Sequence, residues 1–235
     1  MKVEIYSDVA CPWCYVGERR FARALAAFGR DDVEVVFRPY QLDPAAPADA
    51  EPIARYLERR FGPRAAGMTG AVSAAAAGEG ITMDWERALA ANTRDAHRLL
   101  GLALREHGPV VQRALAALLF DAHFTRGGDV SDHAQLASLA ERAGLDGDRV
   151  RAFLASDEGA AGLDDELARA RALGVTAVPT FVFDGQYAVS GAQPVSAFVA
   201  AMEEVRRRAA PEPDAAAGDS AACEDGACAV PAGRE

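Results

Sequence analysis

The chain has 235 residues, 50% of them hydrophobic and 26% charged, enough apolar material for a sizeable core in one elaborated domain or two small ones. A formal net charge of −10 with no sustained basic stripe argues against nucleic acid as a partner, and no apolar run approaches the roughly 18 residues needed to span a bilayer. Met1-Lys2 leads straight into Val3-Glu4-Ile5-Tyr6 with no signal-peptide pattern, so the expected compartment is the cytoplasm, where structural disulfides are rare.

In chain order, residues 2–8 alternate as a strand and Cys14 to Phe28 repeats apolar residues at helical spacing, so a strand runs into a helix through Cys11-Pro12-Trp13-Cys14. Val33 to Phe37 forms a second strand ended by Arg38-Pro39, and Pro44 and Pro47 mark the loop beyond it. Parallel pairing is the default for such a β-α-β unit. From Glu51 to Gly174 the pattern is helical. Thr82 or Asp84 is expected to cap a helix through Leu104, Gly108-Pro109 breaks it, and Val110 to Phe124 resumes; Ser131 or Asp132 caps another. Gly67 to Gly80, rich in Ala and Gly, is expected to be loosely structured.

Strand character returns at Thr180 to Phe183, Asp184-Gly185 supplies a two-residue hairpin turn before Tyr187-Ala188-Val189, and Pro194 to Arg208 forms a last helix. Arg206-Arg207-Arg208 sits where cations offset the helix dipole, a solvated helix end and not a binding patch. The expected class is α/β, a thioredoxin-like fold with an inserted α-helical domain: residues 1–50 and 174–209 form the thioredoxin-like part, 51–173 the insertion, and 210–235 a flexible tail.

Four cysteines in two close pairs point to reactivity or metal binding. A thiol attacks a disulfide as the thiolate, and the first turn of a helix offers unpaired N–H groups and the positive end of the dipole; C-x-x-C sites of this kind bring the first thiol to roughly pH 3.5–7.5. Cys11 is therefore the expected attacking sulfur, and Cys14, one turn along, resolves the mixed disulfide. Pro12 falls where its missing N–H costs least, and Trp13 is expected to present a flat surface beside the sulfur. C-x-x-C is also half of a zinc site; its place after a strand, opening a helix, with a later Pro179 heading another strand, favours redox work.

Five segments carry a family resemblance: Ser7-Asp8-Val9-Ala10-Cys11-Pro12-Trp13-Cys14-Tyr15-Val16-Gly17, Phe37-Arg38-Pro39-Tyr40-Gln41-Leu42, Asn92-Thr93-Arg94-Asp95-Ala96-His97-Arg98, Gly174-Val175-Thr176-Ala177-Val178-Pro179 and Ser190-Gly191-Ala192-Gln193-Pro194. The chain resembles the DsbA family of thioredoxin-like oxidoreductases in its cytoplasmic FrnE-like branch, which is similar to the 2-hydroxychromene-2-carboxylate isomerases and kappa-class glutathione transferases. The resemblance implies a cis bond before Pro179 facing Cys11, and a Val178 backbone that pairs with an extended substrate peptide. Pro12, Trp13, Val178 and Pro179 then form the substrate-binding set, with protein thiols and disulfides as substrates and a small thiol or thioredoxin-type protein as candidate reductant. No cofactor or metal is expected.

Departures bear on what carries over. Relatives often place a buried acid six residues before the first cysteine, where this chain has Ile5, which leaves water, Asp8 or Glu18 to take the proton of Cys14. Both thiols are kept, which favours dithiol exchange over glutathione-dependent isomerase or transferase chemistry. Strongly oxidising relatives carry a His between the cysteines, and Pro12-Trp13 lacks that cation, so a less oxidising couple is expected. The resemblance puts Asn92 and His97 along the substrate groove, whereas the residues alone favour a surface Asn and a satisfied helix His. His107, His123 and His133 have no metal-ligand spacing and are expected to be structural.

The second pair, Cys223 and Cys228, forms a C-x4-C in the tail, a feature that FrnE-like proteins also carry. A dozen flexible residues average about 20 Å and reach about twice that, enough to bring the tail to Cys11 at millimolar effective concentration. The pair is a candidate auxiliary redox site, with incidental thiols or metal binding as alternatives. The function expected overall is a protein disulfide reductase or isomerase, with a four-cysteine zinc protein or a glutathione-dependent enzyme as the competing readings.

Overall fold

A computed structural model describes residues 1–30, 32–47 and 49–209. Lys2–Ser7 forms β1, buried from Val3 onward, and Pro12–Phe28 forms α1, which ends on Gly29 in the left-handed region at φ 66°. β2 (Glu34–Pro39) returns parallel to β1, with Ile5 opposite Phe37. β5 (Thr180–Phe183) pairs antiparallel on the other side of β1, with Ile5 opposite Phe181, and β6 (Tyr187–Ser190) completes the order β2-β1-β5-β6. β1 is therefore one of the two interior strands, and it is buried from Val3 onward.

One core layer is aromatic. Phe21 of α1 meets Phe181, Phe183 and Phe198 at ring centroid distances of 5.1, 6.2 and 5.4 Å, Phe198 coming from α8 (Val195–Ala209). Between β2 and β5 the chain inserts α2 (Ile53–Phe61), α3 (Arg64–Ala77), α4 (Arg94–Thr125), α5 (His133–Ala143), α6 (Gly147–Leu154) and α7 (Ala160–Ala172). The α/β class and the thioredoxin-like fold with a helical insertion are as expected.

α4 ties the insertion to the sheet. The Gln112 amide donates to Phe37 C=O and accepts from Phe37 N–H, both at 2.9 Å, and so satisfies Phe37 on the outer edge of β2, where no further strand pairs among the described residues. Gly108, at φ 81° and ψ −178°, and Pro109 interrupt α4 where the sequence places a break. Asp132 caps α5 by accepting from Ala134 N–H and Gln135 N–H.

Four expectations need correction. Gly67 to Gly80 is mostly helical, as α3: its run of Ala, the best helix former, outweighs Gly67 and Gly70, and burial of Val72 and Ala76 one turn apart anchors it. Thr82 and Asp84 do not start the long helix, which begins after Thr93; residues 81–93 fold across the end of α4, with Asp84 N–H donating to Phe124 C=O at 2.8 Å. The insertion also holds a short ladder, β3 (Glu51–Pro52) on β4 (Leu89–Ala90). Finally, Asp184 and Gly185 take positive φ, at 46° and 68°, and Gln186 N–H closes the turn on Phe183 C=O, but Phe183 pairs with Tyr187, so the hairpin loop has one residue more than expected.

Replacing Gln112 by Leu keeps the volume but strands the Phe37 N–H and C=O. The expected cost is about 2–4 kcal/mol in chemical denaturation, and an unchanged midpoint would show that the clamp contributes nothing.

Candidate active site

Cys11 stands at the N-cap of α1 with extended backbone (φ −94°, ψ 111°), its C=O accepting from Cys14 N–H at 3.0 Å and Tyr15 N–H at 3.4 Å. Pro12 follows at the start of the helix, where it sacrifices no hydrogen bond. The Cys11 sulfur thus sits beside the unpaired N–H end of a 17-residue helix. Its Sγ–H points to Val178 C=O at 3.7 Å, and the Val178–Pro179 bond is cis.

That approach depends on Gly17, since a Cβ there would lie 2.9 Å from Pro179 Cγ and 3.4 Å from the ring of Phe181. The segment is held by Gly191 N–H donating to Pro179 C=O at 2.7 Å and by the Thr180 hydroxyl donating to Ala177 C=O at 2.7 Å. The structure therefore brings Cys11, Cys14, Val178 and Pro179 together. Cys11 and Cys14 are free thiols, 4% and 2% exposed, and Trp13 is 38% exposed beside them. Burial, reinforced by the neighbouring Cys11, pushes the Cys14 thiol well above its ordinary range, and the Asp8 backbone and Ser7 hydroxyl offset this only in part.

A cavity of about 360 Å³ opens next to Cys11 and Trp13, lined mainly by apolar groups of the insertion, among them Tyr56, Phe61, Met68 and Trp85. Neither Asn92 nor His97 borders it. Asn92 braces the loop after β2, donating to Pro44 C=O and Ala46 C=O and accepting from Gln41. His97 is buried and bonded to the Asp8 carboxylate at 3.2 Å. His97 is thus a satisfied buried histidine, the reading that the residues alone favour, and Asn92 is held by loop contacts.

Of the other histidines, His107 is exposed and His133 pairs with Asp95 at 2.7 Å. His123 borders the cavity, fully buried, and neither ring nitrogen makes a hydrogen bond of good geometry among the described residues. Burial drives its pKa down to about 4, against smaller opposing effects of Asp8, Asp129 and the Gly128 backbone. Ile5 occupies the position of the missing acid and is plain core. Glu18 is buried, its carboxyl raised by burial, with Arg113 Nε at 3.8 Å. Among the described residues no group of three or more His, Cys, Asp or Glu gathers as a metal site, and no helix is long and apolar enough to cross a membrane. Cys223 and Cys228 lie outside the described residues.

A family model described as the DSBA-like thioredoxin domain matches residues 2–203. The chain belongs to that family. A structure from Streptomyces coelicolor, described as a probable DsbA oxidoreductase, is 39% identical with TM-score 0.80, over 99% of this chain and 100% of that one. The DSBA-like fold is also shared, at identities that speak for fold alone, with 2-hydroxychromene-2-carboxylate isomerase (18%, TM-score 0.64, 88% of this chain and 97% of that one) and the cytosolic disulfide reductase DsbM of Pseudomonas aeruginosa (17%, TM-score 0.62, 89% and 100%). Among curated proteins, the uncharacterized YwbO of Bacillus subtilis (strain 168) is 35% identical over 51 residues, a stretch spanning 22% of this chain and 24% of that protein.

Two features of this DSBA-like site had no signal in the sequence. The Asp8–His97 contact joins residues 89 apart, and the cavity wall comes from α2 and α3, the second of which reads as a loose segment. His123 yields a prediction whose sign follows from linkage. Its folded pKa of about 4 lies below the ordinary 6.5, so as pH falls from 6.5 to 4 the unfolded state takes up a proton that the folded one refuses. Stability is full above that window, falls by about 3 kcal/mol across it and levels below. In His123→Phe this part of the acid loss disappears while stability at neutral pH changes by less than about 1.5 kcal/mol; denaturation midpoints measured from pH 7 to 4 check this, and parallel curves would refute it.

Proposed function

We propose that this protein is a thiol–disulfide oxidoreductase acting on protein disulfides, of the reductase or isomerase type, with Cys11 attacking and Cys14 resolving. One observation carries the reading: the Cys11 sulfur stands at a helix start, 3.7 Å from the carbonyl of Val178 and at the mouth of an apolar cavity. An extended peptide lying along Val178 would bring its disulfide to that sulfur by strand addition. Exposed Trp13, Leu42 and Met68 offer apolar contact around the mouth.

In the reducing direction, the Cys11 thiolate attacks one sulfur of the substrate disulfide, the substrate S–S bond breaks, and the second substrate sulfur leaves as a thiolate that takes a proton. Cys14 stays protonated meanwhile, because it is buried and faces the negative sulfur of Cys11. Once Cys11 is bound in the mixed disulfide that charge is gone, so Cys14 loses its proton more readily, attacks Cys11 and releases the second substrate thiol. The Cys11–Cys14 disulfide so formed holds the two oxidising equivalents until a small thiol or a thioredoxin-type protein reduces it.

Pro12 and Trp13 shape the approach, and Val178 and Pro179 hold the peptide. Cytoplasmic residence fits this direction, since the reduced pool there supplies the electrons. Cys223 and Cys228 are proposed as an auxiliary pair that exchanges with Cys11 and Cys14. Cys14→Ala should accumulate a mixed disulfide through Cys11 with a model protein disulfide, visible as a mass adduct removed by dithiothreitol, and Cys11→Ser should form none and lose turnover. Failure of Cys14→Ala to form any adduct would contradict the proposal.

A further inference from the structure

Asp8 follows β1 directly and is 1% exposed. Its carboxylate accepts Leu42 N–H at 2.7 Å, His97 Nε2–H at 3.2 Å, Ala10 N–H at 3.3 Å and the Thr93 hydroxyl. Its backbone carbonyl accepts Cys11 N–H at 3.0 Å. One buried carboxylate thus joins three segments: the turn before α1, the loop after β2 and the first turn of α4. Burial pushes this carboxyl up, yet His97, Leu42 N–H and the Thr93 hydroxyl outweigh it and hold Asp8 below its usual range, so it is ionised at neutral pH. With Asp8 ionised, the shared proton belongs to His97 Nε2.

An ionised carboxylate bordering the same cavity as Cys11 opposes negative charge on that sulfur. The donors gathered on Asp8 determine how strongly. Ala10, Leu42 and Thr93 donate from the local turn, the loop and the helix cap; His97 donates from within the first turn of α4, and disulfide exchange itself does not use it.

We propose that Asp8 and His97 form a hydrogen-bonded pair that sets the dithiol–disulfide equilibrium of Cys11 and Cys14, with His97 a positioning residue acting through Asp8. The inference rests on the oxidoreductase reading. Oxidation of the pair forms the Cys11–Cys14 bond and passes two electrons, with protons, to a partner disulfide, which becomes a dithiol. Negative charge on Cys11 stabilises the reduced side. Removing the charge of Asp8 therefore favours dithiol, and removing the donor of His97 favours disulfide.

The test equilibrates the full-length protein and its variants with dithiothreitol redox buffers, traps free thiols and measures the reduced fraction of Cys11 and Cys14. Asp8→Asn keeps an acceptor oxygen and should shift the equilibrium constant about tenfold toward dithiol, about 30 mV for a two-electron couple. His97→Leu should shift it by a similar factor toward disulfide, and His97→Gln, which keeps a donor, should return it toward the parent. A merely structural role would move Asp8→Asn and His97→Leu in the same direction; that result, or an Asp8→Asn equilibrium equal to the parent's, overturns the inference. Asp8→Asn decides alone if His97→Leu does not fold. A parent protein whose Cys11 and Cys14 never form a reversible disulfide would instead defeat the oxidoreductase reading, and this inference with it.

Discussion

Everything in this site depends on the close approach of the Val178–Pro179 segment to the first turns of α1. The helix start supplies N–H groups and dipole to the Cys11 sulfur, and the incoming segment supplies a backbone edge along which a substrate can lie. Gly17 is the permission for this contact, because any side chain there would meet Pro179 and Phe181. The sheet order supplies the rest. β1 feeds the helix and β5 follows the proline, so the antiparallel pairing of Ile5 with Phe181 fixes the two halves of the site in register.

The insertion contributes a second layer of control. It covers the edge of β2 through Gln112, walls the cavity beside Cys11 with α2 and α3, and sends Thr93 and His97 to the Asp8 carboxylate. The sulfur that must be reactive therefore borders a largely apolar space that the Asp8 carboxylate, the Asp43–Arg60 ion pair and the buried imidazole of His123 also line. Desolvation of that kind strengthens every charge effect on the thiols, and at Cys14 burial keeps the proton in place.

Local features were legible in the sequence. Alternation in β1, helical spacing after Cys14, the Gly108-Pro109 break and the cap at Asp132 are short-range signals, and each appears in the fold. Where reading failed, a longer-range term decided. Residues 81–93 have cap-like Thr82 and Asp84, but docking on Phe124 holds them out of a helix. Gly67 and Gly70 look like breakers until burial of Val72 and Ala76 fixes α3. The hairpin after β5 has the turn residues expected, yet pairing of Phe183 with Tyr187 leaves Gln186 as an extra loop residue. At the site, the two cysteines and Pro179 were recognisable as motif positions, whereas the Asp8–His97 pair was not, since nothing local links a residue after β1 to one in α4.

The most direct test is a redox titration of the Cys223→Ser, Cys228→Ser variant, in which Cys11 and Cys14 are the only remaining thiols. One reversible two-electron transition is expected, with mass spectrometry locating the oxidised bond between Cys11 and Cys14. Thiols that remain reduced at every potential, or that oxidise only between molecules, would contradict the assignment of this pair as the reactive centre.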